Sequence, residues 1–192
     1  KPFYLGETEV TQAQWRKVMA SSPSKFTGDT LPVERVSWDN CQEYLQKAGS
    51  GYRLPTEAEW EYTCRAGTKT RFHTGDSNSS LASVAWYNKN SGGKPHPVAQ
   101  KKANAWGFYD MHGNVLEWCQ DWYGDYPDEA AVNPSGPASE KRIVRYFFGQ
   151  FRVLRGGSWN SNPRYCRSAN RFRLGSDIRG NSLGFRVART IP

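Results

Sequence analysis

The feature that most constrains the fold of this chain is that its apolar side chains are mainly large aromatic rings and do not form long aliphatic runs. The 192 residues include eight tryptophans, ten tyrosines and nine phenylalanines, while hydrophobic residues of every type make up only 37%. A few large rings can fill the space between short, irregular elements. A chain of this length can also bury enough surface to form a core as one domain. We therefore predict a single loop-rich domain that spans residues 1–192.

Three short segments carry the signals of helix N-termini. Thr11 is followed three positions later by Gln14, and Thr56 by Glu59, which is the spacing of a capping box. Ser37 precedes another segment that has apolar residues at helical spacing. We expect a short helix to begin after each of these three positions, and we expect the first helix to pack its tryptophan inward.

The remaining sequence alternates short strand-like stretches with long polar loops. The strand-like stretches are residues 1–10, 114–122, 151–159 and 183–189, and the long loops are residues 68–105 and 123–142. Loops of this length usually carry function or are held by neighbouring structure. The pattern predicts an α+β fold with a few helices, short strands and much irregular structure.

The chain has a net charge of +8, which on its own would suggest binding to nucleic acid. From Lys141 onward, however, the basic residues are nearly all arginines in phrases such as "RVLRGGSW" and "GFRVAR", and Asp177 is the only acidic residue. Arginine forms partly buried pairs with carboxylates and stacks on rings. We therefore expect pairing within the fold and no nucleic-acid partner. The predicted acidic partners are Glu57, Glu59, Glu61 and Glu117.

The cysteines and histidines lack the spacing of a zinc site. The cysteines are Cys41, Cys64, Cys119 and Cys166, and they contain no CxxC pair. The histidines are His73, His96 and His112, which lie in loop-like contexts without HxxxH spacing. We expect surface or turn histidines and no zinc, whereas the cysteine count leaves a disulfide open.

No stretch of the sequence is apolar enough to form a membrane-spanning helix, and the mean hydropathy is −0.79. The sequence begins at Lys1 without a signal peptide or lipobox, so a processed or trimmed N-terminus stays open. We expect any membrane association to depend on an N-terminal anchor that this sequence does not include.

Several motifs occur here in the order and spacing of one protein family. They are "GETEVTQAQW", "PVERVSWDN", "YRLPTEAEWEYTCRAGT", "NAWGFYDMHGNVLEW", "RVLRGGSW" and "GFRVA". Over nearly its whole length the chain thus resembles the formylglycine-generating enzyme (sulfatase-modifying factor) family. The resemblance implies that family's form of the C-type lectin fold, with short antiparallel strands, a few helices and much irregular loop. Within these motifs we expect Trp60, Trp118 and Trp159 to be largely buried.

The resemblance also implies an activity for which this chain lacks the residues. The family's enzymes oxidise a substrate cysteine to formylglycine with copper held by two cysteines five residues apart, shortly after the "GGS" turn. Paired soft thiolates suit Cu(I). Ser158 matches the family's serine, but Cys166 is the only cysteine that follows it. Cys166 and Cys64 instead match a structural pair of the enzymes, as buried thiols or a disulfide, so we predict no enzymatic activity.

The family also carries bound calcium, which gives two interpretations of the motif "GNVLEW". Asn114 and Glu117 carry hard oxygen atoms at positions that match the family's calcium region. Alternatively, Asn114 makes a turn and Glu117 pairs with an arginine. We expect no cofactor to be required, and the sequence leaves a structural calcium ion open.

The segment between "RGGSW" and "GFRVA" has an unusual composition. From Asn160 to Leu183 it contains no Lys, Glu, Gln, Met or Trp. In this the chain resembles the variable proteins of bacterial and phage diversity-generating retroelements, which use the same scaffold. In those proteins adenines of a template are randomised, so that asparagine codons (AAC or AAT) become other codons. Such codons cannot become those for the five missing residue types.

This second resemblance implies a variable region at about residues 152–188, in which framework and displayed positions alternate irregularly. Phe172, Leu174 and Ile178 lie in polar surroundings without helix or strand spacing, which suggests exposed apolar side chains suited to binding. Tyrosine among serine, glycine and asparagine is also typical of antibody paratopes. The predicted displayed positions are Ser161, Asn162, Tyr165, Asn170, Phe172, Leu174, Gly175, Ile178, Gly180 and Ser182.

These observations predict a non-enzymatic, receptor-like protein that binds a macromolecular ligand, expected to be a protein, through a diversified C-terminal site. The resemblance implies a bacterial protein that is exported or lies at the cell surface. Two alternatives stay open. One is a copper-dependent oxidase, or an enzyme-derived peptide-binding module, of the same family. The other is a structural module within a larger signalling protein.

Overall fold

The computed structural model of the protein describes residues 1–126, 128–137 and 151–191. The helices are α1 (Gln12–Met19), α2 (Trp38–Ala48), α3 (Glu57–Arg65) and α4 (Asn78–Ala82), with a 3-10 helix at Pro163–Cys166. The strands are β1 (Phe3–Leu5), β2 (Tyr52–Arg53), β3 (Ala85–Trp86), β4 (His112–Gly113), β5 (Leu116–Trp122), β6 (Phe151–Arg155), β7 (Phe172–Gly175), β8 (Leu183–Gly184) and β9 (Ala188–Thr190). Most of the described chain lies outside these elements, as the ring-rich composition predicts.

The strands form three small sheets. The largest has the order β7-β6-β5-β8, a second has the order β1-β9-β2 and joins both ends of the chain, and β3 pairs with β4. Most strand pairs are antiparallel, as expected, but β5–β8 and β3–β4 are parallel pairs. The chain leaves β7 at one edge of the large sheet and joins β8 at the other edge, so residues 176–182 form a crossover between them.

The three predicted helices are present, and their caps explain where they begin. The side chains of Thr11, Ser37 and Thr56 each accept a hydrogen bond from the backbone N–H three residues later, and each motif is a complete capping box. Such caps satisfy backbone groups that would otherwise lack partners at a helix end. The apolar faces then turn inward, and Trp15 of α1 is buried.

Rings hold the largest hydrophobic cluster together. The Trp15 and Tyr44 rings stack at 5.3 Å between centroids, and Phe185 meets Tyr44 edge to face at 5.3 Å. Trp118 belongs to the same cluster, while Trp60 of α3 belongs to a smaller one that includes Cys119 and Val153 of the large sheet. Both Trp60 and Trp118 are fully buried, as predicted.

Several expectations from the sequence need correction. The polar stretch 68–105 contains α4 and β3, and the C-terminal segment contains the strand β7. For the strands, pairing with a neighbouring strand supplies order that residue spacing alone does not reveal. His112 is fully buried and is not a surface or turn histidine. Trp159 is only partly buried, with its ring packed edge to face on Phe26 at 5.8 Å. The predicted loop at 123–142 lies partly outside the described residues.

Within the part of the chain that the structure describes, none of the helices has both the length and the apolar character needed to cross a membrane.

Replacing Trp60 or Trp118 with alanine should cost about 3 to 5 kcal/mol of unfolding free energy, because each change leaves a large cavity in a packed region. Replacing Trp159 should cost less, since this ring is partly in solvent already. Urea denaturation of the three variants measures the difference. A loss at Trp60 that does not exceed the loss at Trp159 would contradict the core described here.

Candidate ligand-binding surface

The display segment, which we define as residues 159–182, follows β6, contains the edge strand β7 of the large sheet, and ends just before β8. It follows a tight turn at Gly156 and Gly157, whose φ angles are +94° and +74°. A Cβ atom at Gly157 would lie 2.7 Å from the Sγ atom of Cys166, so glycine is required there. The turn therefore places the 3-10 helix directly against the framework.

Main-chain hydrogen bonds hold the far end of the display segment. The Gly180 carbonyl oxygen accepts from the Arg35 N–H at 2.9 Å. The Ser182 carbonyl oxygen accepts from the Leu116 N–H at 2.8 Å. Neither bond depends on the side chain of the residue in the display segment.

The same kind of contact holds the rest of the segment. The Ser161 carbonyl oxygen accepts from the Asn88 N–H at 3.1 Å. In two internal turns, the Tyr165 N–H donates to Asn162 and the Ile178 N–H donates to Gly175, in each case to the carbonyl oxygen. Phe172 and Leu174 are held by strand pairing with Leu154 and Arg152 of β6.

Arg155 connects the display segment to α3. Its guanidinium is fully buried and donates to the carbonyl oxygens of Asn170 and Ser168, both at 2.7 Å. The same group pairs with the carboxylates of Glu61 and Glu57. A buried cation with these partners fixes the backbone of the segment without using a displayed side chain.

The ten predicted displayed positions thus share one property. At each of them a backbone N–H or carbonyl group forms a hydrogen bond or takes part in strand pairing. Side chains add bonds at some of them. The Ser161 Oγ accepts from the Ser158 N–H at 3.0 Å, the Asn162 Oδ1 accepts from the Asn88 Nδ2 at 2.8 Å, and the Tyr165 hydroxyl accepts from Arg164.

The exposure of these positions is uneven. Tyr165, Phe172 and Ile178 are 39%, 44% and 42% exposed, which places three apolar or aromatic side chains in solvent as expected. Asn162 is also exposed, and the other six are intermediate. The expectation that Leu174 would be an exposed apolar residue is wrong, because its side chain packs against the largest hydrophobic cluster.

The cysteines do not form a bonded pair in the described structure. All four are buried free thiols, which favours the first of the two alternatives for Cys64 and Cys166. Burial raises the pKa of both thiols to about 12, so each is protonated at neutral pH. The thiolate is the form that binds metals and acts as a nucleophile.

Two histidines that the sequence predicted to lie at the surface or in turns, His73 and His112, stack together, and His112 lies beneath the display segment. The His112 Nδ1 atom is 2.7 Å from the Cys166 carbonyl oxygen, and the His73 ring stacks on the His112 ring at 4.9 Å. Burial lowers the pKa of His112 to about 3, so its ring stays neutral. Short loops around "FHT" and "DMHG" gave no periodic signal from which burial could be inferred.

The contacts of Asn114 and Glu117 bear on the two interpretations of these residues, as calcium ligands or as a turn and an arginine pair. The Glu117 oxygens accept from Arg186 at 2.6 and 2.7 Å, and one of them also accepts from the Trp60 indole at 2.8 Å. Asn114 has a φ of +54°, and its amide oxygen accepts from the His96 N–H. The turn and the arginine pair are therefore both present. Calcium at these residues stays a prediction and would have to compete with these bonds.

In the parts of the chain that the structure describes, no three side chains among histidine, cysteine, aspartate and glutamate converge in a way that could hold a metal ion.

The predicted pairing of the C-terminal arginines with glutamates is confirmed with one exception. Arg171 binds both oxygens of Glu57, at 2.6 and 2.8 Å, and Arg186 binds Glu117. Glu59 pairs instead with Arg53, which lies on β2 next to the start of α3.

The Arg186 pair lies in a buried acidic region. Burial and the neighbouring carboxylates of Asp110 and Glu117 raise the pKa of Glu9 well above its ordinary value. Arg186 is the buried cation that offsets this negative charge, and it also donates to the carbonyl oxygens of Gly6 and Tyr109. Loss of the Arg186 guanidinium would leave these carboxylates buried without a compensating positive charge.

A family model described as the sulfatase-modifying factor enzyme 1-like domain matches residues 1–191. The chain belongs to this family. It is 34% identical to the formylglycine-generating enzyme of Streptomyces coelicolor, over 93% of the chain and 59% of that enzyme, and 35% identical to the mouse enzyme, over 97% and 51%. It is also 31% identical to the chaperone protein LppX of Paenibacillus barcinonensis, over 98% of the chain and 80% of that protein.

Solved structures confirm the fold and the second resemblance. The variable protein 1 of Treponema denticola matches with a TM-score of 0.88 and 33% identity, over 97% of this chain and 84% of that one. PvdO from Pseudomonas aeruginosa matches with a TM-score of 0.83 and 30% identity, over 100% and 81%. The predicted α+β fold of the C-type lectin type is therefore confirmed. This chain is thus similar both to chains that are named as enzymes and to one that is named as a variable protein.

Replacing Arg186 with alanine should lower the unfolding free energy by about 3 to 5 kcal/mol, because it leaves Glu117 buried and unpaired. Replacing the exposed Arg179 should change it by no more than about 0.5 kcal/mol. Urea denaturation measures both. The double change Arg186→Met with Glu117→Gln should recover part of the loss, since it removes the orphaned charge. Equal stability of the Arg186 and Arg179 variants would refute the buried pair.

Proposed function

We propose that this protein is a non-enzymatic, receptor-like protein that binds a macromolecular ligand, most suitably a protein, through the display segment. The observation that carries the proposal is how the segment is held. Its ten displayed positions are fixed through backbone atoms, so most of their side chains can change without loss of the backbone path. A site built in this way tolerates diversification.

The composition of the segment supports binding to a large partner. Tyr165, Phe172 and Ile178 are partly exposed among small polar residues. Rigid rings supply contact area at low entropic cost, and small polar residues adapt to different partners. Such a surface acts through shape and a few ring contacts, so it needs no cofactor. A calcium ion at Asn114 and Glu117 would have only a structural part in this function.

The chemistry of the thiols argues against the oxidase alternative. Copper capture of the family's kind needs two thiolates near the "GGS" turn, and here Cys166 is the only thiol after Ser158. This thiol lies under Gly157, is buried, and has a pKa of about 12. A protonated thiol away from solvent suits packing and not metal binding.

The stability of side-chain variants tests how the segment is built. Replacing Tyr165, Phe172 and Ile178 together with serine should leave the melting temperature almost unchanged, because exposed substitutions usually shift stability by no more than about 0.5 kcal/mol each. Replacing Leu174 alone with serine is the matched control and should cost about 1 to 3 kcal/mol, since this side chain packs on the core. If the triple variant unfolds while the Leu174 variant does not, the segment is core and the proposal fails.

An activity assay tests the absence of oxidation. The protein, loaded with copper and incubated with oxygen and a cysteine-containing sulfatase peptide, should leave the peptide mass unchanged, because the chain cannot present paired thiolates. A formylglycine-generating enzyme with its cysteine pair serves as the positive control. Mass-spectrometric detection of formylglycine above the copper-only blank would exclude the receptor proposal in its non-enzymatic form.

The neighbouring DNA offers a check that is independent of the protein. A diversified protein of this kind should have a nearby, nearly identical template repeat whose adenines align with the codons of the displayed positions. Adenines aligned with framework codons such as those of Gly157 and Arg186 would speak against the assignment of displayed positions.

A further inference from the structure

The exposed charges of the display segment are almost all positive. Its exposed cations are Arg164, Arg167, Arg173 and Arg179, and Asp177 is its only acidic residue. None of these four arginines forms an ion pair with a carboxylate among the described residues, in contrast to Arg171, which binds Glu57. The display segment therefore contains two kinds of arginine: Arg171, which is paired within the fold, and the other four, which face solvent.

Two exposed arginines, Arg164 and Arg167, lie in the 3-10 helix and directly after it. The Arg164 guanidinium lies 4.5 Å from the Tyr165 ring centroid and donates to the Tyr165 hydroxyl. The Arg167 Nε donates to the Arg164 carbonyl oxygen at 2.8 Å, which leaves its two terminal nitrogens for other partners. The backbone of the exposed Arg71 lies beside this turn, because its carbonyl oxygen accepts the Ser168 N–H at 2.9 Å, while its guanidinium donates to the Asp76 carbonyl oxygen at 3.3 Å. We call Arg71, Arg164, Tyr165 and Arg167 the arginine cluster.

The arginine cluster has little negative charge near it. Asp76 lies beside Arg71 and accepts the Arg71 N–H with its carboxylate. The two guanidinium groups of Arg164 and Arg167 have no carboxylate partner among the described residues. Their side chains are partly ordered by the contacts above, so a partner that binds them meets a prearranged surface.

We propose that the arginine cluster contacts carboxylates of an acidic protein partner, with the Tyr165 ring in the middle of that contact. This proposal rests on the proposed function of the display segment and adds the chemistry of its partner. The arginine fork binds carboxylates with two parallel hydrogen bonds. Tyrosine and arginine are also the residues that most often dominate the energetics of protein interfaces.

The surface suits an acidic protein better than a nucleic acid or an anionic membrane. Nucleic-acid binding relies on a track of many lysines and arginines along the phosphates. Here the solvent-facing arginines are few, and the segment lacks lysine. The exposed Ile178 and Phe172 add apolar contact area that a protein surface can match.

A selection experiment with a phage-displayed peptide library tests the proposal. The full chain and its double variant Arg164→Gln with Arg167→Gln are used as targets in parallel. A second double variant, Lys17→Gln with Arg189→Gln, removes the same charge from exposed positions outside the display segment and is the control. Double-stranded DNA and phosphatidylglycerol vesicles are tested as separate probes with all three proteins.

Peptides selected on the unmodified chain should be enriched in Asp and Glu. Their affinity should fall about tenfold or more in the Arg164/Arg167 variant and change less than about twofold in the control. It should also weaken as salt is raised, because exposed charges are screened. Neither DNA nor vesicles should show a loss of binding that is specific to the Arg164/Arg167 variant.

Three results would overturn the proposal. One is selection of peptides without acidic enrichment, and another is the absence of any selected peptide. The third is a loss of DNA or vesicle binding confined to the Arg164/Arg167 variant, which would assign the cluster to a polyanion or a lipid surface.

The triple serine variant at Tyr165, Phe172 and Ile178 separates failure of this inference from failure of the proposed function. If it abolishes binding of peptides that lack acidic enrichment, the display segment binds ligands and only the acidic partner is wrong. If selected peptides bind this variant as well as the unmodified chain, the function proposed for the segment fails too.

Discussion

The arrangement of the C-terminal part of this protein depends on one buried cation, the guanidinium of Arg155. It has no exposed surface, and it joins the carboxylates of Glu57 and Glu61 on α3 to the carbonyl oxygens of Ser168 and Asn170 in the display segment. A buried charge is costly unless it is fully paired. The helix and the segment are therefore tied together, since neither can move without leaving this charge short of partners.

The function proposed for the display segment places two demands on its structure. The fold needs a fixed backbone, and diversification needs freedom at the side chains. Main-chain hydrogen bonds from Asn88, Arg35 and Leu116 supply the first demand, because every residue except proline offers the same backbone groups whatever its side chain. The framework side chains, such as Arg155, remain outside the displayed set.

One scaffold relates this chain both to chains named as formylglycine-generating enzymes and to one named as a variable protein, and the residues after the "GGS" turn bear on which of the two it resembles in function. For the enzymes, the family resemblance implies two cysteines after that turn that hold copper. In this chain the single thiol of Cys166 packs beneath Gly157, and the surrounding positions carry Ser158, Asn160 and Ser161, which bond to one another. Under the proposed function, this loop serves display and not metal chemistry.

The sequence by itself determined the features that depend on local spacing and on composition. These include the three capping boxes at Thr11, Ser37 and Thr56, the family motifs, and the shortage of five residue types in the display segment. Most partners of the C-terminal arginines could also be anticipated, because a buried arginine needs a carboxylate and few were available. Local signals of this kind operate within a few residues and survive without knowledge of the fold.

Only the tertiary structure decided which side chains meet solvent. Leu174 and Ile178 look alike in the sequence, yet Leu174 lies in β7, which pairs with β6, and packs on the core, whereas Ile178 lies in the crossover to β8 and is exposed. His112 is buried because residues far apart in the chain, among them Cys64, Phe72 and Cys166, enclose it. Burial arises from contacts between distant segments, and no local pattern records which segments will meet.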